Sequence, residues 1–457
     1  MISASKDYGD FTRNMEIKWQ DVQLKLDSSD IGIEFVSFPL GEDSTMYVAY
    51  ILKKNLELPI IVPLFEEKQL ITDNRLYNTT TLSKLVWEPL AEYLNDMKNI
   101  YFAPSGELYN IGIENLPHWS GDGQMSDKWH MYRLSSTRQL ALIKDKGSLK
   151  QASVYGGVKY DTDEEMLIAD SRKYRSQERS FATESFAIAD SLSMRAGAAY
   201  LPATKIEAED IDKTLGQKKI MTKLLIDTLA TEGAFKNLSG KKMNLLHIAT
   251  HGFYWTENEA KYRGNLSFLL LNNIQSKYAE DKALTRSGLL LAGANYTLMG
   301  KKLPEGVDDG ILTAKEIAQL DLRGLDLVVL SACQTGLGEI KGDGVFGLQR
   351  GFKKAGANSL LMSLWKVDDE ATRLLMTQFY KNLTSGMSKY ESLKQAQKYV
   401  REYEVEVEVK SDVRPSVSAH AKEQAQQNAS KEKTLKKVRK YEDPYYWAAF
   451  ILLDAIN

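Results

Sequence analysis

The sequence predicts an α/β fold in which a mostly parallel sheet is covered by helices on both faces. Three observations predict it. The compact runs MNLLHIAT (243–250), LDLVVLSA (325–332), SLLMSL (359–364) and WAAFILL (447–453) show no polar alternation, as expected of strands buried on both sides. Segments with helical spacing of apolar residues separate such runs. Finally, the 457 residues are 43% hydrophobic and 26% charged, enough to bury a large core and too apolar for a mostly disordered chain.

Along the chain, MYVAYILK (46–53) is rich in β-branched and aromatic residues and predicts a strand. Leu82, Leu85, Val86, Leu90 and Leu94 fall near helical spacing and predict a helix over 81–97. A short strand at 99–103 ends at the turn signal Pro104-Ser105-Gly106. ASVYGGV (152–158) is a strand ending in two glycines, and 160–200 is then polar and charged with little periodicity, as in a surface insertion. A helix is expected over 207–231. Between the core strands, Val345, Phe346, Leu348 and Phe352 predict a helix over 344–354, and Leu374, Leu375, Phe379, Tyr380 and Leu383 another over 370–383. The segment 403–441, from EVEVEVK to KEKTLKKVRK, is so charged that a protruding helical or disordered insertion is expected. Two units follow, 1–150 and 151–457.

Lys plus Arg number 59 and Asp plus Glu 61, so the net charge of -2 lacks the basic excess of a non-specific nucleic-acid binder. One cysteine excludes an intrachain disulfide and a multi-cysteine zinc site, and five scattered histidines show no metal spacing. The start is not a signal peptide, and no apolar run nears the roughly 18 residues of a spanning helix, so a cytoplasmic protein without a membrane anchor is expected. No repeat of solenoid length is visible.

In an open parallel sheet, ligands bind beyond the carboxyl ends of the strands. His251-Gly252 follows MNLLHIAT, and Cys333 ends LDLVVLSAC. If these strands are neighbours, about 4.8 Å apart, imidazole and thiol face one cleft. A free thiol near pKa 8.5 is only a few per cent thiolate at neutral pH, and an adjacent imidazole takes its proton and later donates one to the leaving amine. The backbone N–H groups of Gly252 and Cys333 suit an oxyanion hole, since a residue without a side chain admits close approach. Taken singly, each residue has a plainer role: a cysteine at a strand end is often a small buried hydrophobe. His247, between apolar neighbours, is expected in the core.

The segments HIATHGF, DDGILTAKEIAQLDLRGLDLVVLSACQTGLGE, GVFGLQRGFKKAGANSLLMSLWKVDDEATRLLMTQFYKNL and DPYYWAAFILL, in that order, resemble the CHAT family, a branch of the caspase-like, clan CD cysteine peptidases that includes separases. The resemblance covers about two thirds of the chain, from Ala152 onward. It implies a caspase-like fold, endopeptidase activity on a protein or peptide substrate without cofactor or metal, His251 and Cys333 as the dyad, and Gly252 as oxyanion donor. The preceding part, with YFAPSGELYNIGIENLP, resembles a degenerate caspase-like half. Trp365 resembles a tryptophan that lines the substrate cleft of caspase relatives, and a plain core tryptophan is an equal alternative. Lys366 then suggests an acidic preference in the first pocket, whereas Asp368 and Asp369 suggest a basic one or simply cap the next helix. Many members carry upstream TPR repeats, not visible here, and act when an activating partner or signal in a prokaryotic defence or death-like pathway orders the site.

Three rival readings fit parts of the sequence. Gly342-Asp343-Gly344-Val345-Phe346-Gly347 is a formal G-x-G-x-x-G, but its first glycine does not directly follow the strand, as a dinucleotide site requires. The dyad also fits a non-proteolytic cysteine amidohydrolase with a closed pocket. A catalytically idle interaction module is the third.

Overall fold

Strand by strand, alternate residues enter two different cores, as a sheet covered on both faces requires. The structure, a computed structural model, describes residues 16–41, 44–70, 76–142, 149–175, 197–255, 283–304, 306–332, 336, 338–341, 344–409 and 434–456. Among the described residues, eleven strands form the main sheet: β1 (Asp30–Pro39), β2 (Thr45–Lys53), β3 (Ile60–Glu66), β4 (Asn99–Ala103), β5 (His130–Arg133), β6 (Gln151–Val158), β7 (Met221–Asp227), β8 (Leu245–Ile248), β12 (Leu327–Leu330), β15 (Ser359–Ser363) and β18 (Phe450–Leu453). Three small sheets hold β9 (Gly252–Tyr254), β10 (Ser287–Leu290) and β11 (Ile311–Thr313); β13 (Gly338–Lys341) and β14 (Gly344–Gly347); and β16 (Glu404–Val409) and β17 (Thr434–Arg439).

The main sheet runs β3-β2-β1-β4-β5-β18-β15-β12-β8-β6-β7. Only β2 with β1 and β3, and β15 with β18, pair antiparallel. Leu246, Ile248, Val328, Leu330 and Leu360 pack on one face with Phe235, Leu348 and Phe352 from the helices Glu232–Lys236 and Leu348–Lys354. Leu245, Leu327, Val329 and Leu361 pack on the other with Ile211, Leu375 and Phe379 from Pro202–Gln217 and Asp369–Thr384. Each such side chain, fully buried, is worth roughly 1.5–3 kcal/mol, so the predicted two-sided burial is also what holds the layers together.

Strands from before and after residue 150 meet through β18, which lies between β5 and β15. The seam is polar as well as apolar. The buried Asp454 carboxylate accepts from the Ser135 N–H at 2.8 Å and lies 2.7 Å from Lys353 Nζ, while the Asp454 N–H donates to the Arg133 carbonyl at 3.0 Å. Arg133 in turn donates to both oxygens of Glu114, at 3.0 and 2.8 Å.

Several expectations are corrected. The helix expected over 81–97 is broken into Thr81–Val86, a 3-10 turn Glu88–Leu90 and Ala91–Leu94. Pro89 lacks the N–H that would continue the helix and restricts the residue before it. The expected helix over 207–231 ends at Gln217, and 221–227 is the edge strand β7. Gly216 weakens the helix end, Lys219 turns the chain at φ 59°, and MTKLLID continues with strand-like spacing. Residues 344–347 pair with β13 instead of starting a helix, with Gly347 extended just before Leu348–Lys354.

The 403–441 insertion is neither helical nor disordered where described. Residues 404–409 and 434–439 pair antiparallel, setting Glu404 opposite Arg439 and Glu406 opposite Lys437. Alternation with period two places unlike charges across the ribbon, a pairing worth tenths of a kcal/mol up to about 1. Residues 410–433 lie outside the described ones. In the 160–200 segment, Tyr160 belongs to the core and Glu164–Arg175 is a helix, while 176–196 lie outside the described residues. Among the described residues, no helix is long and apolar enough to cross a membrane.

Candidate active site

The two strands that carry the predicted pair are neighbours. β12 lies beside β8 in parallel, and every β12 residue faces the β8 residue 82 positions earlier, from Leu327 opposite Leu245 to Leu330 opposite Ile248. The ladder continues through the Ser331 N–H, which donates to the Ile248 carbonyl at 2.9 Å. Cys333, Gln334 and Thr335 lie outside the described residues. Both flanks of that segment are held by buried Ser363 at the end of β15: its hydroxyl donates to the Ala332 carbonyl at 2.6 Å, and its carbonyl accepts from the Gly336 N–H at 2.8 Å. A Cβ on Gly336 would sit 3.1 Å from that carbonyl oxygen, so glycine permits the close approach.

His251 stands three residues beyond β8, and its backbone is fixed on both sides. Its N–H donates to the Tyr160 hydroxyl at 3.2 Å, and its carbonyl accepts from the Leu290 N–H at 2.9 Å. The Thr250 hydroxyl donates to the Leu290 carbonyl, so the Tyr160 hydroxyl, 2.8 Å from Thr250 Oγ1, supplies the proton of that bond. Tyr160 also lays its ring 5.2 Å from the imidazole. Burial pushes its phenol up to about 12, so it stays neutral in ordinary conditions.

The His251 side chain places Nε2 2.8 Å from the Ala199 carbonyl oxygen. A carbonyl only accepts, so this contact assigns the proton of the neutral ring to Nε2 and leaves Nδ1 as the acceptor. Gly252 opens β9, the edge strand of its sheet. His251 with Leu290 and Trp255 with Arg286 are hydrogen-bonding pairs, and pairs alternate along an antiparallel ladder. Gly252 opposite Leu289 therefore turns its N–H away from β10.

The remaining predicted residues lie just after β15. Trp365 is half-buried, packs against both cores, lies 5.0 Å from the Tyr77 ring and donates from Nε1 to the Tyr445 carbonyl at 3.0 Å. Lys366 is exposed, and its carbonyl accepts from the Tyr445 hydroxyl at 3.1 Å. Asp368 caps the helix Asp369–Thr384, accepting from the Ala371 N–H at 2.9 Å, and Asp369 lies in its first turn. His247 is fully buried on the opposite face, its two nitrogens each 3.1 Å from the Tyr380 hydroxyl and the Glu207 carboxylate. Of the rival G-x-G-x-x-G, Gly342 and Asp343 lie outside the described residues. Among the described residues, no group of three or more His, Cys, Asp or Glu is placed to hold a metal ion.

Sequence reasoning missed Tyr160, Thr250, Ser363 and Ala199. The rule that pointed to His251 extends to Tyr160, which follows the end of β6 beside β8. Ala199 acts through its backbone, for which its residue type carries no signal.

The family model described as "CHAT domain" matches residues 78–455. Among curated proteins, tetratricopeptide repeat protein 28 of Mus musculus is 40% identical over 91 residues and that of Homo sapiens 37% over 90, in each case 20% of this chain. The match spans 4% of the length of either relative. Among solved structures, the Arg-specific cysteine proteinase gingipain R is similar with a TM-score of 0.35 at 8% identity, over 69% of this chain and 64% of that one. The Saccharomyces cerevisiae separase–securin complex is similar with a TM-score of 0.34 at 10% identity, over 70% of this chain and 16% of that one.

Proposed function

Because the chain belongs to the CHAT domain family, we propose that it is a cysteine endopeptidase with Cys333 as nucleophile and His251 as its base. One observation carries this reading: the β8–β12 register. In sequence, His251 and Cys333 each come three residues after the end of one of these two adjacent parallel strands. Cys333 directly follows Ala332 in sequence, whose carbonyl Ser363 holds.

In this mechanism, Nδ1 of His251 takes the thiol proton and the thiolate of Cys333 attacks the scissile carbonyl. The N–H groups of Gly252 and Cys333 bind the oxyanion. Collapse breaks the C–N bond, and the imidazolium returns its proton to the departing amine. Water, deprotonated by Nδ1, then attacks the thioester and releases the acid and the thiol. A base in this role contributes on the order of 10²–10⁴ in rate. Trp365, Lys366 and Asp369 line the approach to the first substrate pocket, while Asp368 serves the helix. The proposal includes the regulated defence or death-like setting, the cytoplasmic location and the activating partner that the resemblance implies.

The test is intact-protein mass spectrometry after exposure to a peptidyl acyloxymethyl ketone library, comparing the chain with Cys333→Ala and His251→Ala. One adduct on Cys333 that depends on His251 and on peptide sequence is expected. Sequence-independent labelling overturns the peptidase, as does no labelling in the presence of candidate activators; the latter favours an idle interaction module.

A further inference from the structure

The carbonyl that meets His251 belongs to the strap 197–200, which makes no strand or helix of its own. Something else must hold it in place, because a carbonyl on loose backbone cannot select one imidazole tautomer. The holder is Asn295, in the helix Ala294–Leu298 and only 3% exposed. Its Oδ1 accepts from the Ala198 N–H at 2.6 Å, and its Nδ2 donates to the Ala198 carbonyl at 3.1 Å and to Asp161 Oδ1 at 2.9 Å. One acceptor meets a donor and both amide hydrogens meet acceptors, so turning the amide over would set like against like in every contact. The Asn295 backbone N–H donates to the Tyr160 carbonyl at 3.1 Å, tying the same residue to the tyrosine beneath His251.

The strap is built to fit. Gly197 sits at φ 70°, and a Cβ there would lie 2.8 Å from Cγ and Oδ1 of Asn295. Any other residue would be strained in its backbone and would collide with the side chain that grips Ala198. Ala198 is thus gripped by both polar groups, and the next residue delivers its carbonyl to Nε2 at 2.8 Å.

We propose that Asn295 is a positioning residue for His251: by gripping Ala198 it holds the Ala199 carbonyl against Nε2, fixing the tautomer whose Nδ1 receives the thiol proton. This rests on the peptidase reading for its catalytic consequence, and on geometry alone for the tautomer. Asn295 touches neither substrate nor thiol in this scheme. Its loss slows Cys333 by misplacing the base, and misplacements of about 1 Å cost up to 10²-fold.

The experiment is imidazole ¹⁵N NMR of the full chain, with the His251 signals assigned by their absence in His251→Gln. The expected spectrum has the proton on Nε2 and a bare Nδ1. Asn295→Ala and Gly197→Ala should each yield mixed tautomers and a roughly 10- to 100-fold slower reaction of Cys333 with the peptidyl ketone. Gly197→Ala lies outside both cores and carries the test if Asn295→Ala fails to fold. An unchanged Nε2–H signal in a folded variant overturns the proposal even if Cys333 is labelled normally. Mixed tautomers in the variants without any labelling of the parent chain support the grip and overturn only the peptidase.

Discussion

The hydroxyl of Ser363 donates to the carbonyl of Ala332 at 2.6 Å, so the residue just before Cys333 is fastened to the neighbouring strand by a side chain. Ser363→Ala removes that donor from a fully buried site, where losing one partner costs about 1–3 kcal/mol. Urea unfolding should show a lower midpoint at unchanged slope, together with slower labelling of Cys333. Labelling at the parent rate would mean that the segment is positioned without this clasp.

Tyr160→Phe keeps the ring under His251 and deletes the hydroxyl that accepts its N–H. Labelling should slow, and stability should fall by about 1–3 kcal/mol. The parent protein adds a pH signature. Burial raises the Tyr160 phenol from 10.0 to about 12, so the folded state holds this proton more tightly than the unfolded chain. Its contribution is full below about pH 10 and is lost as pH rises through about 12. The Tyr160→Phe variant should lack that alkaline loss in pH-dependent thermal melts.

Asp368→Ala should cost about 1 kcal/mol through the lost cap of Asp369–Thr384 and leave the preferred residue of the peptide library unchanged. A changed preference would place Asp368 in the substrate pocket. Lys366→Ala, which removes an exposed cation beside Trp365, is the variant expected to alter it.

Lys236 holds three carboxylates under the sheet, those of Glu232, Asp308 at 2.8 Å and Glu316 at 3.0 Å. Burial pushes the Glu232 carboxyl up, and Lys236 partly offsets this. Lys236→Met leaves these acids without their cation, at a cost of about 3–5 kcal/mol near neutrality. The Glu232 carboxyl would then rise further, and a raised carboxyl favours the fold at low pH and loses that favour as pH climbs. Thermal melts of the variant should therefore improve on acidification from pH 7 to about 5. A flat profile would show that another group neutralises the cluster.

Much of this was legible because strands buried on both faces announce themselves. β4 coincides with its expected bounds, and β8, β12, β15 and β18 lie within the four apolar runs. What escaped had weaker local signals. β7 followed a helix with no proline to mark the break, and the ribbon of β16 and β17 hid its period of two inside a high charge density. His251 was visible because its side chain is of a chemically distinctive type at the end of a strand. Ala199 was invisible because only its carbonyl is used, and Asn295 because its value depends on a strap distant in sequence.

β18 has five strands on either side of it and is the last of the eleven to be synthesised. Without it, the other ten strands divide into two groups of five whose facing edges, β5 and β15, would be raw. Joining them requires pairing residues more than 300 positions apart, Leu453 with Arg133, a slow step by the logic of loop closure. A nascent chain of this kind is exposed to edge-to-edge aggregation for longest at its own centre. Because β15 carries the serine that clasps Ala332, the strand that closes the sheet also flanks the strand that holds the end of β12.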